Sequence, residues 1–85
     1  MTDEPSFEFL CTYIGYEPKK RLLDSFEVAK IRRVSISAVR SDRVKGVGPK
    51  FMKPPGTQRA LYSEYEVLLW LYENRKQSTS EERVA

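Results

Sequence analysis

Apolar positions along the chain come in short groups separated by polar punctuation, and each group predicts an element. In "LLDSFEVAKIRR", Asp24 stands where an N-cap belongs, and Glu27, three residues on, can reach back to complete a capping box. Leu23 and Val28 fit the hydrophobic staple of the same helix, whose narrow apolar face is Val28, Ala29 and Ile31. The next residues, "RVSIS", offer Ser35 as a fresh N-cap, so the spacing predicts a second helix over about 36–45 with Val39 as its inward anchor. Ser37, Arg40, Ser41 and Ile36 then lie toward another side of that helix. Two short helices about three residues apart form a helix-turn-helix pattern, whose second helix is typically the one that enters the DNA major groove.

Downstream, "KFMK", then "PPGTQ", then "RALY" read as two short strands around a turn at Pro54, Pro55 and Gly56, a small hairpin. The last helix is predicted from Ser63, with "SEYE" as a second capping box, to about Asn74. Its run "VLLWLY" is apolar on more than one face, which makes Val67, Leu68, Trp70, Leu71 and Tyr72 the bulk of the expected core. Upstream, "FEFLCTYIGY" packs equally well as a strand or a short helix, and periodicity does not separate the two. Residues 76–85, "KQSTSEERVA", are polar and aperiodic and predict a flexible tail. The resulting division is an N-terminal extension over 1–20, a helix-turn-helix domain over 21–75 and the tail over 76–85.

Composition narrows the chemistry. Eighty-five residues make one domain with a modest core and little room for a deep catalytic cavity. Cys11 is the only cysteine and there is no histidine, which removes disulfide frameworks, ordinary zinc sites and the commonest acid/base catalyst. No cofactor is expected. Tyr62, Tyr65 and Tyr72 lie among apolar residues at helical spacing with no accompanying constellation, so packing explains them better than strand cleavage does, and no enzyme is expected. The longest apolar run, Val67 to Tyr72, is far short of a membrane span, and "MTDEPSFEF" carries acids where a secretory signal carries bases; a cytoplasmic protein is the expectation.

The formal charge of +3 conceals an asymmetry. From Lys30 to Arg59 nine Lys or Arg face one acid, Asp42, a net of +8, while the rest of the chain sets six basic residues against eleven acids for −5. Positive charge concentrated in this way is the footprint of a polyanion partner, because each phosphate contact releases condensed counterions. The competing reading is a solvated basic face with no partner. Within this window "KGVGPKFMKPPGTQRALY" holds three glycines, three prolines and four basic residues and no acid, a composition too stiff for a simple linker.

The element order and the residues "LLDSFEVAK", "VSISAVR", Arg43 followed by "GVGPKFMK", Tyr62, and "WL" at Trp70 and Leu71 resemble one family. It is the MerR-like winged helix-turn-helix of phage and mobile-element excisionases and related small prophage regulators, matched over roughly Arg21 to Tyr72. The resemblance implies an α+β, mostly helical fold: a winged helix-turn-helix with a small two-stranded wing and a C-terminal packing helix. Three positions depart from the pattern: Arg33 where the turn often has glycine, Asp42 where an aromatic is common, and Leu61 where arginine often precedes the tyrosine. The turn at Arg33 either avoids positive φ or stores strain.

The resemblance further implies that the second helix reads the groove and the wing reaches adjacent phosphates. The candidate contacts on the helix are Ser35, Ser37, Ala38, Arg40, Ser41 and Arg43, and those on the wing are Lys50, Lys53, Thr57, Gln58 and Arg59. Arg40 and Arg43 suit guanine or phosphate, with a solvated or Asp42-paired arginine as the plain alternative; Ser35 suits capping as well as phosphate. Proline at 49, 54 and 55 would lower the entropy lost when the wing orders on DNA. The implied function is an excisionase, or recombination directionality factor, that binds adjacent sites near an attachment site, bends the duplex and assists a separate integrase. A prophage transcriptional regulator using the same surface is the alternative, and a protein-interaction module with an acidic partner the third.

One small module buries only on the order of 600–1,000 Å² on DNA, so neighbour contacts between copies are expected, with Asp3, Glu4, Glu8, Glu81 and Glu82 as acids that could meet a neighbour's basic surface. Neither a long dimerisation helix nor a cysteine-bearing metal loop follows the last helix in this sequence, so no small-molecule effector is expected.

Overall fold

Four helices, each with a serine or aspartate at its N-cap, account for the order in the computed structural model, which describes residues 4–75. They are α1 (Phe7–Ile14), α2 (Ser25–Arg32), α3 (Ile36–Lys45) and α4 (Glu64–Glu73). The ambiguous N-terminal stretch is therefore helical. Ser6 Oγ accepts from the Phe9 amide at its start, and Gly15 closes it in the left-handed conformation.

The predicted second and third elements appear as read. Asp24 accepts from the Glu27 amide at 2.9 Å while the Glu27 carboxylate accepts from the Asp24 amide at 3.0 Å, the full capping box. Leu23 and Val28, the staple residues, are both completely buried. Arg21 pairs with Glu27, and that hydrogen bond together with the Asp24 amide holds the Glu27 carboxyl at a pKa of about 2. Ser35 caps α3, and Val39 is 1% exposed.

Between α2 and α3 the chain turns at Arg33, whose φ of 62° and ψ of 43° lie in the left-handed region. An arginine in this geometry carries a Cβ clash of order 1 kcal/mol that glycine avoids. Arg33→Gly is therefore expected to raise stability by about 0.5–1 kcal/mol, read as a higher urea midpoint at unchanged slope.

The core has two halves with α4 as the shared wall. On one side Val67 joins Leu23, Val28, Ala29, Val39, Ala60 and Tyr62, with Ile31 and Leu71 at the margin. On the other, Leu68 and Leu69 close on Leu10 of α1, flanked by Phe7, Cys11, Ile14, Tyr16, Tyr65 and Tyr72. This is why the α4 sequence is apolar on more than one face. Leu69 is buried, whereas Trp70, Leu71 and Tyr72, expected to supply the core, are half-buried. Among the described residues no helix is long and apolar enough to cross a membrane.

The two-stranded wing does not form. Among the described residues there is no strand, so the fold is four-helical rather than α+β, and the chain between α3 and α4 is an irregular loop pinned by single bridges. Met52 and Leu61 exchange both backbone hydrogen bonds, at 2.7 and 2.8 Å, and Tyr62 exchanges both with Leu23 at 2.8 Å. Extending the first bridge outward would pair position 54 with position 59, but Pro54 has no N–H to donate. Extending it inward would require position 63, and Ser63 already turns the chain into α4 as its cap. The apolar residues of the two expected strands are used differently: Ala60 and Tyr62 are core residues, and Phe51 and Met52 are exposed.

Candidate nucleic-acid interface

Helix α3 is held from three directions. Arg32, at the end of α2, pairs with Asp42 at 2.7 Å and lies over the Trp70 ring at 4.5 Å. The Trp70 indole in turn donates to the Val47 carbonyl at 3.1 Å, tying the exit of α3 to α4. A side chain at Gly48 would meet the Asp42 Cβ at 3.2 Å, so the loop leaves α3 as closely as a glycine permits. Asp42, the single acid of the basic window, is thus neutralised by Arg32 rather than by a neighbouring arginine on α3.

Arg43 points inward. Its Nη1 donates to Ser25 Oγ at 3.0 Å and to the Tyr62 hydroxyl at 3.1 Å, and its guanidinium approaches the Phe51 ring at 5.8 Å. These bonds join α2, α3 and the end of the loop, so Arg43 orients the surface instead of standing free on it. Arg40 has the opposite setting: it is exposed, with the Phe26 ring 5.7 Å below its guanidinium. Ser35 Oγ accepts from the Ala38 amide at 3.1 Å, which assigns that hydroxyl to capping, and Ala38 is half-buried.

Ser37, Arg40, Ser41 and Val44 are exposed and recur at the spacing of one helical stripe. Alongside it, Arg40 and Arg43 of α3, Ser25 and Phe26 of α2, and Gln58 and Arg59 of the loop line a shared cleft of about 250 Å³. The loop therefore reaches the α3 face without strand pairing. Lys50, Lys53, Gln58 and Arg59 are exposed, Arg59 lies 3.6 Å from Asp24, and Thr57 Oγ1 accepts from the Arg59 amide at 3.1 Å, shaping the loop tip. Of the acids offered for neighbour contacts, Glu4 and Glu8 are exposed, while Asp3, Glu81 and Glu82, with the tail 76–85, lie outside the described residues.

Two residues of this surface escaped the sequence reading. Phe26 sits at the second position of α2, where the staple drew attention to its neighbours, and its contact with Arg40 is visible only in three dimensions. Val44 had a signal: it is seven residues from Ser37 and about 140° around the helix from the anchor Val39. No family model, curated protein or solved structure matches this chain. Duplex binding is therefore argued from the chemistry of this face, and the excisionase role from the sequence resemblance over Arg21 to Tyr72 alone.

Proposed function

We propose that this protein binds duplex DNA, with α3 in the major groove and the 47–60 loop on the adjacent backbone, and that it acts as an excisionase-type recombination directionality factor. The observation that carries the DNA reading is the meeting of Arg40, from the exposed Ser37–Arg40–Ser41 stripe, with Arg59 of the loop across one cleft, whose acid Asp24 lies 3.6 Å from Arg59, in a window whose only acid is already paired with Arg32. An exposed helix face bearing an arginine and small hydroxyls suits major-groove readout, and cations beside it suit the backbone. The mode is architectural: the protein positions and bends DNA, and a separate integrase breaks and joins strands.

The deciding experiment is sequencing of genomic fragments selected by the purified protein, at a salt concentration that suppresses non-specific binding. Closely spaced repeated sites at an attachment region beside an integrase gene are expected. Isolated sites over promoters would replace the excisionase role with transcriptional regulation, and absence of any enrichment would overturn DNA binding itself. For the loop, Lys53→Ala should weaken selected and random duplexes alike and reduce the slope of log K against log salt by about one ion. A sequence-dependent loss would instead put Lys53 against a base.

A further inference from the structure

Val44 is the most exposed large apolar residue described, at 87%, and it lies in the body of α3, one turn beyond Arg40 on the Ser37–Arg40–Ser41 stripe. Folding gives it no reason to be valine. Its side chain buries almost nothing, and a β-branched residue in an exposed helical position is less favourable than alanine, lysine or glutamate. Along the chain Lys45 follows it and Ser41 and the exposed Arg40 stand one turn back, while Arg43 is turned toward Ser25 and Tyr62 and the exposed Val47 lies three residues on. A protein partner's apolar patch would have to desolvate the exposed Arg40 and Lys45, whereas the major groove of DNA accommodates them. There the phosphates receive the cations, and the groove floor offers one apolar group, the C5-methyl of thymine.

We propose that Val44 is a specificity residue that packs against a thymine methyl in the major groove. The proposal rests on the DNA-binding reading above and adds to it the identity of one base. Because recognition-helix side chains three or four residues apart meet successive bases, the thymine read by Val44 stands about one base pair from the base read by Arg40. The two side chains then divide the readout: hydrogen bonds from Arg40, dispersion and exclusion of water from Val44, with the Ser41 hydroxyl between them able to donate or accept.

The test uses a duplex obtained by selection with the wild-type protein, in which each thymine is replaced in turn by deoxyuridine, a change that removes only the methyl group. One replacement should weaken wild-type binding about fourfold, the worth of one buried methyl or methylene. Val44→Ser should bind thymine and deoxyuridine duplexes equally at that position while melting like the wild type. If no replacement affects the wild type, or if Val44→Ser loses the same factor on both duplexes, Val44 faces something other than a thymine methyl and the proposal falls. In either case continued selection of a duplex leaves the DNA-binding reading standing. Failure to select any duplex removes both.

Discussion

Arg40→Ala should lower affinity for the selected duplex about 10- to 100-fold while changing affinity for random duplex by no more than the worth of one phosphate contact. The size follows from the geometry of arginine and guanine: two parallel donors meeting O6 and N7 discriminate against a wrong base by about 1–3 kcal/mol. The selectivity follows from the setting of the residue. Arg40 is exposed and its one described internal contact is with the face of Phe26, so its removal leaves the α2–α3 packing and the Arg43 bonds to Ser25 and Tyr62 in place. Arg40→Lys separates charge from shape: it should restore non-specific affinity and leave most of the specific loss, because an ammonium group makes no bidentate pair. Equal losses on selected and random DNA, measured by fluorescence anisotropy at matched salt, would make Arg40 a phosphate contact and move base reading to another part of the stripe.

Helix starts were the most legible feature of this sequence because their determinants are local. Asp24 with Glu27, Ser35, and Ser63 each act within three residues, and the structure places a cap at every one of them. Helix α1 carries local caps as well, Ser6 at its start and Gly15 at its end, but its type stayed open in the sequence. Its apolar residues fit either period, and the caps are joined by a distant contact that the sequence does not show, Leu10 against Leu68 and Leu69. The loop misled by pattern. Two short apolar segments around a proline-glycine turn suggest a hairpin, but ladder growth depends on which residue falls on a hydrogen-bonding position, and here it is Pro54.

The same distinction applies to the candidate surface. Helical spacing brought out Ser37, Arg40 and Ser41, and extended one turn further it reaches Val44. Spacing could not show that Arg43 is captured by hydroxyls eighteen and nineteen residues away. Nor could it show that Arg33 accepts a left-handed backbone, a question the sequence left open between two geometries. A charge count located the face to within thirty residues; the partners of each charge decided which side chains remain available on it.

The largest loss of stability is expected away from that face, at Glu64. This carboxylate is 8% exposed at the first turn of α4 and accepts hydrogen bonds from the Tyr16 hydroxyl and from the amides of Lys19 and Lys20, the latter two at 2.8 and 3.1 Å. It thereby clamps the segment after α1 onto α4, and Lys20 takes a φ of 58° within that clamp. Burial by itself raises the carboxyl pKa, but the three donors outweigh it and hold Glu64 below the usual 4.5. Glu64→Ala removes every acceptor at once and should cost about 3 kcal/mol, given about 1.5–3 for a hydrogen bond to a charged group and partial rescue of the amides by water. Tyr16→Phe, which deletes one donor, should cost about half as much.

Because the folded pKa of Glu64 is depressed, its contribution is fully present above the unfolded value near 4.5 and is lost as pH falls through the lower folded value. Glu27, held at about 2, adds a second loss in the same direction. Wild-type stability should thus decline from about pH 4.5 toward pH 2, and the decline should be shallower in Glu64→Gln, which cannot titrate. Urea midpoints measured across that interval test the clamp. Parallel profiles for wild type and Glu64→Gln would mean that Glu64 binds its proton equally in the folded and unfolded chains, its burial offsetting the three donors, and would overturn the charged clamp.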